Sequence, residues 1–138
     1  MKQDYIYLYP ADRVVIPKSN INLVKHHGIY VGYINGRHWF LENHFNSGVR
    51  YVTAEQFLNG TSIDKIRIQR FVGSARQRQE AVNVAKNMLG RPYDLLSYNC
   101  EHYSNEVQYG KPESDQVKAG LFVAGLCVVF FGALTISN

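Results

Sequence analysis

The dipeptide Asn35-Gly36 constrains what this chain can fold into more than any other feature. It separates two apolar runs, His27-Gly28-Ile29-Tyr30-Val31-Gly32 and His38-Trp39-Phe40-Leu41-Glu42. A two-residue type I′ turn needs positive φ at both central positions, and Asn-Gly is the pair that adopts it most readily. The segment therefore reads as a β-hairpin. Further strands are predicted over 5–9, over 13–16 (β-branched and closed by Pro17), over 48–52, and over 63–71, where the alternation slips at Lys65. Pro10-Ala11-Asp12 reads as a turn between the first two.

Helix starts are equally legible. Thr53-Ala54-Glu55-Gln56 and Ser74-Ala75-Arg76-Gln77 are capping-box patterns. The first opens a short helix that stops near Asn59-Gly60. The second opens one with Ala81, Val84, Ala85, Met88 and Leu89 at helical spacing, stopped by Gly90. A third helix starts at Asn99 and runs to about residue 109, where Gly110 and Pro112 end it. The pattern predicts an α+β domain over residues 1–117, a small antiparallel sheet with helices on one side.

From residue 119 to residue 136 the chain carries no charge. As a helix that stretch would rise about 27 Å at about 1.5 Å per residue, close to the hydrocarbon thickness of a bilayer. So small a domain can hardly bury a helix that is apolar on every side. Residues 118–138 are therefore expected to be a single-pass C-terminal membrane anchor. Lys111 and Lys118 precede the stretch, which places the domain on the cytosolic side. The N-terminal residues contain no long apolar run and do not read as a signal peptide. The net charge of +4 suits an anionic membrane surface, and no run of Lys and Arg is dense enough to argue for nucleic acid. Two cysteines, Cys100 and Cys127, make no disulfide framework, and both are expected to be reduced.

Asn99 as N-cap leaves Cys100 in the first helical turn, where the positive end of the helix dipole favours a thiolate. A nucleophilic Cys needs a base to hold its proton, and the base needs a third group to fix its tautomer. His26 and His27 sit where a loop enters the first hairpin strand, a rigid and open place for a base. Spacing leaves both in contention. His102 points off another side of the Cys100 helix. No metal or other cofactor is expected, since Cys100 and His102 have no second close pair at zinc-site spacing.

Lys25-His26-His27-Gly28-Ile29-Tyr30-Val31-Gly32, followed far downstream by Asn99-Cys100-Glu101-His102-Tyr103, resembles the lecithin:retinol acyltransferase family. It is most similar to the family's small phospholipase/acyltransferase members, the HRAS-like suppressors. Pro10-Ala11-Asp12 is similar to the family's Pro-Gly-Asp turn, and the likeness continues through 105–110 and 114–117. The resemblance implies a circularly permuted papain-like (NlpC-type) domain with a C-terminal anchor. It places the nucleophile on Cys100, the base on His26 and the third member on Glu42, with Asn43 and His44 as alternatives. His27 then takes the place of an aromatic residue, and Tyr30 is a candidate helper. The implied chemistry is acyl transfer: Cys100 cleaves a glycerophospholipid ester through a thioester, and water, an amine or an alcohol takes the acyl group. The backbone N–H of Cys100 is the candidate oxyanion donor. Two other classes fit the same motifs. One is a papain-like peptidase or amidase, and the other a non-catalytic membrane-remodelling protein like the viral proteins that share them.

Overall fold

In the computed structural model, which describes residues 7–18 and 24–120, five strands build one antiparallel sheet. They are β1 (Arg13–Pro17), β2 (Lys25–Ile34), β3 (Arg37–His44), β4 (Gly48–Thr53) and β5 (Arg67–Gln69), arranged β4-β3-β2-β1-β5. The hairpin forms where the sequence places it, with Asn35 at φ 51° and Gly36 at φ 78° closing β2 onto β3. The helices are α1 (Ala54–Leu58), α2 (Ala75–Asn87) and α3 (Cys100–Tyr109). Thr53 and Ser74 each complete the capping box their sequence announces.

The two-residue period of the strands sends alternate side chains to opposite faces. Ile29, Val31, Leu41 and Val49 face α2 and α3, where Ala81, Ala85, Tyr103 and Val107 cover them. Val14, Ile16, Tyr30, Phe40 and Val52 face the other way and are covered by Phe57 and Leu58 of α1. The helices thus pack on both faces, where the sequence pattern predicts one. Gly28 explains why a helix as short as α1 can seat itself. A Cβ at Gly28 would come 2.6 Å from the Phe57 ring, so only glycine lets that ring settle onto the sheet. There Phe57 stacks on Phe40, with centroids 4.8 Å apart.

Two predicted strands depart from their patterns, the first of them described only from residue 7 onward. Residues 7–9 are not strand, because β2 and β5 already occupy both edges of β1. Their backbone bonds elsewhere: the Tyr7 carbonyl accepts from Arg70, and the Tyr9 N–H donates to Asp12 at 3.0 Å. In the 63–71 stretch, Ile63–Lys65 is a 3-10 turn and only Arg67–Gln69 pairs, against Arg13–Val15 of β1. The break falls at the slip in the alternation.

Asp12 ties the turn before β1 to α2. Its fully buried carboxylate accepts from Tyr9 N, Phe71 N, Arg70 and Arg78. Burial works against its charge, but these donors more than offset that and lower its pKa.

Residues 115–120 begin a further helix. Among the described residues, no helix is long and apolar enough to cross a membrane. The predicted anchor beyond Gly120, with Cys127, lies outside the described residues.

Candidate active site

The start of α3 is fixed by its own sequence. Asn99 adopts the extended cap conformation, and its side chain accepts from the N–H groups of Glu101 and His102. The ring of His102 completes the capping box, its Nδ1 accepting from Asn99 N at 3.1 Å. The sequence pattern does not announce a His in that role, because the usual partner there is Glu or Gln. The Cys100 N–H stays outside this set of bonds at the helix start. Asn43 holds the incoming chain against the sheet, its Nδ2 donating to the Tyr98 carbonyl at 2.8 Å. Cys100 is thereby delivered to the open end of β2, with Sγ 3.7 Å from the Lys25 carbonyl. It is reduced and only 5% exposed.

His26 meets it there. The carboxylate of Glu42 bonds the His26 ring, with Oε2 2.6 Å from Nε2, and the Cys100 thiol is the ring's other polar neighbour. The other oxygen of Glu42 accepts from Arg50 Nε and Nη2, at 2.9 and 2.8 Å. Burial opposes a charge on His26, but Cys100 and Glu42 overcome it and raise the pKa to about 9. Glu42 is held below the usual carboxylate range: burial works against it, and His26 and Arg50 win. The Phe57 ring, 5.4 Å from that of His26, walls one side.

The alternatives for the third position separate cleanly. Glu42 reaches His26. Asn43, one residue on, points to the helix face and to Tyr98, and His44 Nδ1 accepts from Asn46 N. Tyr30 is bonded through its hydroxyl to His38, at 2.8 Å. His27, left open by spacing, faces α3. There it accepts from buried Arg13 at 2.8 Å. Burial, then the charges of Arg13, His26 and Lys25, push its pKa down to about 2, so it is a neutral acceptor.

A cleft of about 430 Å³ opens beside His26 and Glu42, lined by these two and Phe57 and rimmed by Lys18, Arg50 and Lys65.

Residues 11–109 match the profile of the permuted papain-like amidase enzymes of the YaeF/YiiX, C92 family. The chain belongs to that family. A solved member of the fold, described as the metalloprotein yiiX from Escherichia coli O157:H7, superposes with a TM-score of 0.57 at 20% identity. The superposition covers 81% of this chain and 79% of that one. The family's permuted papain-like fold accommodates the order seen here, with His26 on an early strand and Cys100 on a late helix. Among curated proteins, mouse phospholipase A and acyltransferase 3 is 42% identical over 52 residues, 36% of this chain and 32% of that protein. Human phospholipase A and acyltransferase 2 is 35% identical over 57 residues, 40% of this chain and 35% of that protein. The matches span about a third of each curated relative. Although that neighbour is described as a metalloprotein, no group of three or more His, Cys, Asp and Glu side chains converges as a metal site among the described residues.

Proposed function

We propose that this protein is a cysteine-dependent phospholipase A/acyltransferase. The observation that carries the reading is the Cys100 thiol at a helix start, neighbouring a His26 ring whose Nε2 lies 2.6 Å from the Glu42 carboxylate. The names of the curated relatives support a lipid ester as substrate. In the reaction, the Cys100 thiolate attacks the acyl carbonyl of a glycerophospholipid. The oxyanion forms beside the Cys100 N–H, and collapse expels the alcohol with a proton from the imidazolium of His26. His26 then takes a proton from water or from an amine or alcohol acceptor, which attacks the thioester and releases Cys100. Glu42 keeps the imidazole oriented and stabilises its charge. A hydrophobic C-terminal segment in the bilayer would hold the domain, on the cytosolic side, where such esters are found.

A second reading rests on the family description, which names amidases. The same groups would cleave an amide, with His26 protonating the leaving amine.

Incubating the full chain in detergent with phosphatidylcholine tests the first reading. Free fatty acid should appear, together with a mass increase of one acyl group on Cys100, and Cys100→Ala should lose both while keeping its thermal unfolding midpoint. Release from an amide substrate with none from phosphatidylcholine would favour the amidase, and no turnover of either would end both readings.

A further inference from the structure

Resting on the phospholipid reading above, we propose that the cleft beside His26 contains an anion subsite in which Lys18, Lys65 and Arg50 receive the phosphate of a ligand. The cleft is built asymmetrically. Lys18, Arg50 and Lys65 bring three permanent positive charges to its lining, and Glu42 is its one carboxylate. Both oxygens of Glu42 are already engaged, one by His26 and the other by Arg50. It cannot also neutralise the lysines. Among the described residues neither Lys18 nor Lys65 takes part in an ion pair, and the Lys18 ammonium sits 5.0 Å above the Phe45 ring. Their donors are thus available to a ligand, while Arg50, committed to Glu42, contributes mainly its charge.

The environment of His44, another lining residue, registers the same field. Burial lowers its pKa, and the positive charges of Arg50, His26 and Lys18 push the same way, against Glu42 alone. Low-dielectric walls such as Phe57 and Leu58 focus that potential into the cleft. Two flexible ammonium groups around a pocket suit a compact group with several acceptor oxygens, which describes phosphate. In a glycerophospholipid the phosphate shares a glycerol unit with the acyl ester. His26 lines the cleft and Cys100 does not, so one molecule would present its ester at the His26 end, toward Cys100, and its phosphate to the lysines. A phosphodiester headgroup and free phosphate share this chemistry, and the experiment separates them.

Full-length Cys100→Ala protein would be titrated by calorimetry with glycerophosphocholine, with inorganic phosphate and with choline chloride. Glycerophosphocholine should bind and choline should not, and adding Lys18→Gln with Lys65→Gln should weaken binding about tenfold, the scale of losing charge-assisted contacts. Lys18→Arg with Lys65→Arg should retain it, which guards against a mere folding defect. No binding of either phosphate compound overturns the subsite, and binding of inorganic phosphate alone overturns the headgroup assignment. In the active protein, the ratio of kcat/KM for phosphatidylcholine to that for neutral diacylglycerol should fall about tenfold in the double Gln variant. If glycerophosphocholine binds while the unsubstituted protein cleaves no ester, the acyl-transfer reading falls and the subsite stands.

Discussion

His26 and His27 are neighbours on β2, yet they live in two different proteins as far as their protons are concerned. His26 faces the cleft, between a thiol and a carboxylate, and its pKa rises to about 9. His27 faces α3 against the buried guanidinium of Arg13, and its pKa falls to about 2. Both are largely buried, so desolvation disfavours the charge on each. The sign of the neighbouring charge decides the outcome. A buried histidine is thus a base or a structural acceptor according to which face of the strand it occupies. A slip of one residue in register would exchange the two roles.

That contrast can be broken by substitution. The largest effect is expected from His26→Ala, which should lower acyl transfer by at least about 10³-fold, within the range general acid–base groups supply. The thioester assay with phosphatidylcholine measures it. Glu42→Gln should cost about 10²-fold and move the alkaline limb of the pH–rate profile to lower pH, because the carboxylate that raises the His26 pKa is gone. An unmoved limb would mean that Glu42 does not govern His26. His27→Phe should leave the rate within about twofold but destabilise the fold by about 1–3 kcal/mol, since the Arg13 guanidinium loses a buried acceptor. Denaturant unfolding reads that cost, and His27→Gln should recover part of it.

Stability against pH sharpens the same contrast, because the two histidines act in opposite directions. The pKa of His26 is higher in the folded state than its ordinary 6.5. Its contribution is therefore fully present below that value and is lost as pH rises through about 9. The pKa of His27 is lower than its ordinary value, so its unfolded form gains a proton first. Stability should fall as pH drops below about 6.5. Thermal midpoints across the pH range should show the alkaline decline flattened in His26→Ala and the acid decline flattened in His27→Phe.

Much of this arrangement is written locally. Asn35-Gly36 specifies its turn by backbone conformation, and Thr53, Ser74 and Asn99 specify helix starts with side chains three residues away at most. The alternation over 63–71 overstates its strand because strand length depends on a partner: β5 can be no longer than the part of β1 it meets. The second helical layer is hidden from the sequence for a related reason. Nothing near Gly28 announces that Phe57, far along the chain, will fill the space above it. Resemblance points to Glu42 but leaves Asn43 and His44 open, and only the register of β3 against β2 shows which side chain reaches His26.

The sequence by itself determined the hairpin, the capped helices and the placing of a cysteine at the first turn of one of them, since each depends on interactions within a few residues. The tertiary structure decided which histidine meets that cysteine, which carboxylate supports it and where the cationic cleft opens. Those choices turn on strand register and on packing between distant segments, and charges strong enough to move a pKa act only across the few ångströms that folding alone brings about.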